Sequence, residues 1–331
     1  MRIADMHCDT ISEIWQKRKD GSEVNLRENK MHVDLRRMKE SGYLLQNFAL
    51  FVYLGECDDP WEQVCRLQRV YEEELKKNSD IIAPVVRYAD IAENAAAGKM
   101  SALLTVEEGA VCKGEIEKLR QLYDMGVRMM TLSWNYPNEL GYPNLNCTVE
   151  RTDDYLYLAD HVNGLTERGR EFVAEMERLG MIVDVSHMSD AGFADVLECT
   201  HKPFVASHSN ARSVCRCVRN LTDEMIRKLA ERGGCMGLNF CADFLEEVPQ
   251  GQENPGTIEA VVRHAKHIVN QGGVEVLGLG SDFDGISTHR ELPGVQSMER
   301  LWDALHQAGF TQSDLDKIFC GNVLRVYRDC L

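Results

Sequence analysis

The stretch RIADMHCDT, residues 2–10, joins a short apolar run to two potential metal ligands, His7 and Asp9. Side chains two residues apart on a β-strand lie on the same face, so we predict that Asp5, His7 and Asp9 share one side. Cys8 then points to the other side, and we do not count it among the candidate ligands. We expect Asp5 to hold the second ring nitrogen of His7.

Seven more apolar runs follow along the chain, and each is typical of a strand buried on both faces. Together with residues 2–7, the runs are 44–52, 101–108, 127–134, 180–187, 203–209, 234–240 and 274–283. Between most of them, apolar residues recur with helical spacing, as in residues 114–127, 162–179 and 257–271. This alternation predicts an α/β fold, a closed (β/α)8 TIM-like barrel of parallel strands. A doubly wound open sheet is the alternative, and it would leave the first and eighth strands unrelated.

The chain shows no linker and no change in composition that would separate two domains. Its 331 residues, 44% of them hydrophobic, are enough for one large domain. We predict a single barrel domain, residues 1–331, with insertions near 10–43, 53–100 and 135–160.

Charge and hydropathy limit the classes of partner and the cell compartment that we expect for the protein. The formal net charge is −16 and there is no run of Lys and Arg, which argues against nucleic acid. No segment approaches the about 18 apolar residues of a membrane span, and no charged-then-apolar leader is present. We therefore expect a cytoplasmic protein without a membrane partner. The twelve cysteines form no C-x-x-C pair, which predicts buried free thiols.

Residues able to bind a metal ion follow several predicted strands, at the end where barrel enzymes carry their chemistry. The candidates are His7, Asp9, Glu107 or its neighbour Glu108, His187, His208, Asp282 and Asp284. A mixture of imidazole and carboxylate suits zinc or a similar divalent ion. Five such ligands suit two ions about 3.5–4 Å apart, if one carboxylate bridges them. Each residue alone also fits a buried histidine, a helix cap or a turn, so the prediction depends on their joint placement.

Six motifs around these residues resemble the renal-type, or membrane, dipeptidases and their bacterial members, over essentially the whole chain. They are H-x-D at 7–9, VE-x-G at 106–109, LGMIVDVSHMSD around His187, PFVASHSNARSV around His208, VRNLTDE around Arg219 and GLGSDFDG around Asp282. The resemblance implies an amidohydrolase-like barrel of the metal-dependent hydrolase type. It also implies a zinc-dependent dipeptidase in which a metal-bridging hydroxide attacks the peptide bond, and it implies a homodimer.

The same resemblance implies a role for each matching residue. His7 and Asp9 would bind one zinc ion, His187 and His208 would bind the other, and Glu107 would bridge the two. Asp282 would be the catalytic acid and base and would also contact the substrate. Arg219 would hold the terminal carboxylate of the dipeptide, a task that suits the paired donors of a guanidinium.

Two residues depart from the animal members of the family. Trp134 stands where those enzymes have a histidine that contacts the substrate, and Cys241 stands where they have a tyrosine. The substrate preference and the oxyanion contact are therefore not carried over. Alternative functions are another amidohydrolase-type activity, such as a lactonase or cyclic amidase, and a non-catalytic metal-binding barrel. The first families commonly begin with H-x-H where this chain has H-x-D, and retention of all the candidate residues argues against the second.

Overall fold

The structure is a computed structural model, and it describes residues 1–152, 154–249, 252–287 and 289–331. Within these ranges, eight parallel strands close into a ring and a ninth lies beside it. The strands are β1 Ile3–Asp5, β2 Tyr43–Phe51, β3 Ile82–Val85, β4 Met100–Glu107, β5 Val127–Thr131, β6 Ile182–Asp184, β7 Val205–Ala206, β8 Cys235–Leu238 and β9 Leu277–Leu279.

The ring runs in the order β1, β2, β4, β5, β6, β7, β8 and β9. It closes because β9 pairs with β1, where Asp5 is the partner of Leu279, and because β2 pairs with β4 from Leu45 and Ser101 onward. All of these pairings are parallel. The closure confirms the predicted TIM-like barrel and is incompatible with a doubly wound open sheet.

β3 is the strand that the apolar runs did not predict. It pairs with the first half of β4, from Ile82 opposite Met100, whereas β5 pairs with the second half of β4 from Leu104 onward. β3 therefore borders the ring without being part of it. Pro84 lies within β3 and has no backbone N–H to donate, which suits a strand at the edge of a sheet.

Helices follow most of the ring strands, as a barrel requires. They are α1 Thr10–Lys19, α2 Leu35–Ser41, α3 Pro60–Lys77, α4 Tyr88–Ala96, α5 Ile116–Asp124, α6 Glu167–Leu179, α7 Asp190–Cys199, α8 Asp223–Glu231, α9 Ala242–Leu245, α10 Ile258–Gly272, α11 Met298–Gln307, α12 Gln312–Asp316 and α13 Asn322–Cys330. The three stripes with helical spacing correspond to α5, α6 and α10. In the described part of the chain, no helix combines the length and the apolar character needed to cross a bilayer.

Side-chain caps define where several helices begin. Thr222 caps α8, because its side chain accepts a hydrogen bond from the backbone N–H of Met225. The Thr166 side chain caps α6 in the same way, and it is the reason that this helix begins at Glu167 instead of at the start of the predicted stripe at 162.

The segments predicted as insertions differ in their content. Residues 10–43 contain α1 and α2, and residues 53–100 contain α3, β3 and α4. Residues 135–160 are mostly irregular, with a 3-10 turn at Tyr155–Tyr157, and residue 153 lies outside the described residues.

The last helix fills one end of the ring. Val323, Val326 and Tyr327 of α13 form a buried cluster with inward-facing residues from the first halves of the strands, such as Leu45 and Val205. The Tyr327 hydroxyl lies 2.6 Å from the Asn47 side-chain nitrogen. The other end of the ring, at the carboxyl ends of the strands, is left for the polar residues described next.

Candidate metal centre

The five predicted ligands come from four strands and meet at the carboxyl end of the ring. His7 and Asp9 follow β1, Glu107 ends β4, His187 follows β6 and His208 follows β7. None of the five is more than 7% exposed. Residues far apart in the sequence are therefore buried together, as a shared site requires.

Glu107 lies at the middle of the cluster, with its two oxygens directed to different histidines. Oε2 is 3.3 Å from His7 Nε2, whereas Oε1 is 3.0 Å from His187 Nε2 and 3.5 Å from His208 Nε2. Asp9 Oδ2 is 3.3 Å from His7 Nε2, and the Nε2 atoms of His187 and His208 are 3.0 Å apart. One carboxylate thus contacts both a His7–Asp9 pair and a His187–His208 pair, and the rings of His7 and His208 also stack with their centroids 3.9 Å apart.

The chemistry of this donor set fits divalent cations. Three imidazole nitrogens and at least two carboxylates point at one another, and Asp9 Oδ1 is buried without a hydrogen-bond partner among the described residues. Ligand atoms of His7, Glu107 and His208 lie within 4.8 Å of one another, and so do those of His7, Asp9 and Asp282. Buried carboxylates in such number need compensating positive charge.

The electrostatics of the protein's own groups show the same need. Burial acts against the charged forms, yet the charges of Glu107 and Asp9 hold the pKa of His7 well above its usual value. Burial lowers the pKa of His187 to about 4 and places that of His208 well below its usual value. Neutral imidazole is the form that binds a metal ion, and an ion can replace the proton favoured at His7.

Glu108 does not compete with Glu107 for this place. Its carboxylate accepts hydrogen bonds from the backbone N–H of Ala110 at 2.9 Å and from Trp134 at 3.2 Å, and from the Asn138 amide at 2.5 Å. It thereby caps the 3-10 helix Gly109–Cys112. The sequence left open which of the two residues is a candidate ligand and which caps a helix. The structure shows that Glu108 is the cap.

Asp282 lies at the edge of the cluster. Its Oδ1 is 3.8 Å from His7 Nε2, and its Oδ2 accepts a hydrogen bond from Asn239 Nδ2 at 2.9 Å. Burial raises its pKa to about 7, against the lowering effect of His7 and with a further increase from Asp9. Asp284 points elsewhere, since its carboxylate accepts from the Thr10 hydroxyl and from a backbone N–H of residue 32.

Four of the candidate residues have a positive φ, including Glu108 at 112° and Asp284 at 68°, which lie outside the cluster. His187 has φ of 72° and Asp282 has φ of 62°, both in the left-handed region that residues with a Cβ rarely occupy. Such conformations cost of order 1–3 kcal/mol and concentrate at functional sites. The surrounding contacts hold both side chains where the strand geometry alone would not place them.

A cavity of about 540 Å³ opens onto the cluster, and Arg219 is one of its lining residues. Arg219 is 3% exposed, and its Nη2 donates to the backbone carbonyl of His208 at 3.3 Å. Its buried Nε has no partner among the described residues. A guanidinium left partly unpaired beside a cavity is suited to an anionic ligand.

Both departures from the animal enzymes also line this cavity. Trp134 packs against Phe51 and Tyr53, with ring centroids 4.9 and 5.7 Å away, and its ring is 5.8 Å from that of His187. Cys241 is half-buried, and burial raises the pKa of its thiol to about 12. The thiol therefore remains protonated at neutral pH and is not poised as a nucleophile.

The residues that orient the candidate ligands were missed from the sequence. Asn135 Oδ1 is 2.9 Å from His187 Nδ1, Ser207 Oγ is 2.7 Å from His208 Nδ1, and Asn239 holds Asp282. Ser207 lies within the motif around His208, whereas Asn135 follows the predicted run 127–134 and Asn239 lies near the end of the run 234–240; these positions were the only signal. The expectation for Asp5 was wrong in its detail, because its Oδ1 accepts from the backbone N–H groups of His7 and Ser281.

A closed parallel barrel with an imidazole and carboxylate cluster at its carboxyl end has the architecture of a metal-dependent hydrolase. The chain belongs to the membrane dipeptidase family, peptidase family M19, whose family model matches residues 1–330. It is therefore a metallo-dipeptidase, a hydrolase of peptide bonds that depends on divalent metal. This confirms the resemblance found in the motifs.

Named relatives agree with this assignment. Dipeptidase tcpJ of Claviceps purpurea is 30% identical over 312 residues, which cover 90% of this chain and 69% of that protein. An uncharacterized dipeptidase of Schizosaccharomyces pombe, C965.12, is 30% identical over 323 residues, covering 90% of this chain and 72% of its own.

Solved structures agree in fold over the full chain. A crystal structure described as dipeptidase AC, a metallo peptidase of family M19, has a TM-score of 0.89 at 25% identity and covers 100% of this chain and 98% of its own. A metallo peptidase from Rhodobacter sphaeroides, liganded with a phosphinate mimic of the dipeptide L-Ala-D-Ala, has a TM-score of 0.89 at 24% identity. It covers 100% of this chain and 99% of its own, and at that identity it supports the fold alone.

Proposed function

We propose that this protein hydrolyses dipeptides with two zinc ions held by His7, Asp9, Glu107, His187 and His208. The observation that carries the proposal is the placement of Glu107, whose oxygens face His7 on one side and His187 with His208 on the other. A carboxylate so placed is suited to bridge two ions. Bound zinc would supply a hydroxide nucleophile at neutral pH and positive charge for the developing oxyanion.

Asp282 is the residue we propose as proton carrier. Asn239 fixes one carboxylate oxygen, and the other faces the cluster at 3.8 Å from His7 Nε2. The second oxygen is thus available to accept a proton from the nucleophile and to deliver it to the leaving amine. Asp282 also lines the cavity that opens onto the cluster.

Arg219 is the residue we propose to bind the α-carboxylate of the substrate. Its Nε lacks a partner in the described protein, and its charge lies in the wall of the same cavity as the cluster. A carboxylate held there at a fixed distance from the nucleophile limits the substrate to two residues, because a longer peptide would carry its carboxylate out of reach. The half-exposed Trp134 would contact the substrate where the animal enzymes use a histidine.

The test combines a substrate panel with metal analysis of the same sample. L- and D-dipeptides, a tripeptide and a lactone are assayed with zinc-replete protein, and zinc per chain is measured. Dipeptide hydrolysis with two zinc ions supports the proposal. Lactone hydrolysis alone favours the amidohydrolase alternative, and zinc without any turnover favours a non-catalytic barrel.

The role of Asp282 has its own variant. Asp282→Asn should retain two zinc ions and lose about 100- to 10,000-fold in kcat, the usual worth of a positioned acid and base. Asp284→Asn, the same change two residues along and outside the cluster, should cost far less. Equal losses in the two variants would remove Asp282 from its proposed role.

A further inference from the structure

The imidazole of His208 is held from behind by a buried chain of hydrogen bonds. Its Nδ1 is 2.7 Å from Ser207 Oγ, and that hydroxyl is 2.5 Å from Asp184 Oδ2. Asp184 and Ser207 have no exposed surface, and His208 is 1% exposed. The opposite ring nitrogen, Nε2, faces Glu107 Oε1 at 3.5 Å.

Every acceptor position of Asp184 is occupied. Oδ1 accepts from the backbone N–H groups of Ser186 at 3.0 Å and Ser207 at 2.9 Å. Oδ2 accepts from the hydroxyls of Thr131 at 2.7 Å and Ser207 at 2.5 Å. An ionised carboxylate has about four acceptor positions and no proton of its own. In each of the four contacts, the group opposite Asp184 therefore supplies the proton.

This requirement fixes the direction of the whole chain. The Ser207 hydroxyl has one proton, and the 2.5 Å contact with Asp184 uses it. Ser207 Oγ is consequently an acceptor toward His208, so the proton between them belongs to His208 Nδ1. The other ring nitrogen, Nε2, is then left with its lone pair directed into the cluster.

We propose that Asp184 and Ser207 are positioning residues that fix the tautomer of His208 and present its Nε2 to a divalent ion. The inference rests on the proposed function for the presence of the ion, whereas the hydrogen bonds are observed in the structure independently of that function. Outer partners of this kind orient a ligand and raise its basicity, and their loss costs about 10- to 100-fold in metal affinity. His187 differs, because its Nδ1 contacts a neutral amide oxygen, that of Asn135.

Asp184→Asn gives a result that a merely structural role would not. Two backbone N–H groups require the new amide oxygen at the Oδ1 position, so the amide nitrogen takes the Oδ2 position and donates to Ser207. The Ser207 proton is then free for His208 Nδ1, and the ring changes to the tautomer protonated on Nε2. A wrong tautomer of this kind inactivates a histidine without changing the fold.

The tautomer is measured in metal-free protein from the ¹⁵N shifts of the His208 ring, identified by their loss in His208→Gln. We expect protonated Nδ1 in the wild type and protonated Nε2 in Asp184→Asn. Zinc binding is then measured against chelator-buffered free zinc. The ion that His187 and His208 would hold should need at least about 10-fold more free zinc in the variant.

Ser207→Ala is the second variant, should Asp184→Asn fail to fold. It removes the acceptor of the Nδ1 proton and should weaken the same ion by a similar factor. Ser281→Ala is the matched control, because Ser281 is a buried hydroxyl that contacts the backbone carbonyl of His7 and no histidine ring. It should leave the His208 tautomer and the affinity for that ion unchanged.

Wild-type zinc affinity and a wild-type His208 tautomer in Asp184→Asn, or unchanged affinity in Ser207→Ala, would overturn the proposal. A wild-type protein that binds fewer than two zinc ions would overturn the two-ion function instead. The tautomer change in Asp184→Asn would still be observed in that case, so the two failures are distinguishable.

Discussion

A methyl group added at Gly285 would test how closely the candidate centre is packed. A Cβ at this position would lie 2.1 Å from Asp9 Oδ2 and 2.6 Å from Asp282 Oδ1. Real Cβ atoms essentially never approach closer than 3.0 Å, so the Asp9 carboxylate would have to retreat by 3.0 − 2.1 = 0.9 Å or more. The Gly285 backbone itself does not require glycine, because its φ is not in the left-handed region. The effect of Gly285→Ala is therefore a displacement of two carboxylates.

The size of the effect follows from that displacement. A misplacement of about 1 Å costs about 100-fold in rate. This corresponds to about 2.7 kcal/mol of transition-state stabilisation, at 1.36 kcal/mol for each factor of ten. We expect kcat/KM for a good dipeptide to fall about 100-fold in Gly285→Ala. Zinc should also bind more weakly, because Asp9 is a proposed ligand.

The assay is dipeptide hydrolysis with zinc per chain and thermal unfolding measured on the same sample. Gly321→Ala is the control, since the nearest atom to its added Cβ is a backbone oxygen at 3.4 Å and its φ of −59° suits alanine. It should retain wild-type kcat/KM. Wild-type activity and zinc content in Gly285→Ala would refute the reasoning, because the carboxylates would then tolerate the displacement.

Three further predictions concern substrate binding, acid stability and metal dependence. Arg219→Ala should raise KM for dipeptides at least about 10-fold and leave KM unchanged for an amide substrate without a carboxylate. An equal increase in KM for both substrates would contradict the proposed role of Arg219. Burial lowers the pKa of His264 to about 4, and its ring accepts from the Ala211 N–H and contacts the Leu245 carbonyl. In the unfolded state, the pKa of His264 is about 6.5, so between pH 6.5 and pH 4 only the unfolded state binds a proton at this ring. The contribution of His264 to stability is therefore fully present above pH 6.5 and is lost as the pH falls toward 4. Between pH 7.5 and pH 5, the free energy of unfolding measured in urea should therefore fall by about 2 kcal/mol less in His264→Gln than in the wild type. Equal decreases in the two proteins would refute this. Removal of metal by a chelator should abolish hydrolysis and added zinc should restore it, whereas activity in chelated, metal-free protein would exclude the proposed mechanism.

The closed barrel could be predicted from the sequence because each buried parallel strand is a short apolar run. β3 was missed because it is only four residues long, contains Pro84 and lies within a segment expected to be an insertion. Six of the eight predicted runs were also longer than their strands, whereas the runs 44–52 and 101–108 match β2 and β4 in length. Residues 180–187 contain a strand of three residues, and His187 lies beyond it with a left-handed backbone that no periodicity reveals.

The candidate centre could be predicted because the carboxyl ends of the strands of a barrel meet at one edge. A residue that follows a predicted strand is thereby placed at that edge without further information. The choice between Glu107 and Glu108 could not be made from the residues alone, because it depends on which carboxylate meets the Ala110 N–H. The contacts of Asp184 and Ser207 were likewise invisible. Their hydrogen bonds join strands far apart in the sequence, and the spacing of residues along one strand contains no information about them.

The pairing of β1 with β9 has a consequence for how the protein is made. The first strand is synthesised long before the last, and at about 5–20 residues per second the delay is on the order of tens of seconds. During that interval, β1 can pair with β2 along one edge, but its other edge lacks β9, and Asp282 does not yet exist to complete the cluster. The closed ring that carries the candidate metal centre is thus completed late, after synthesis has proceeded through β9.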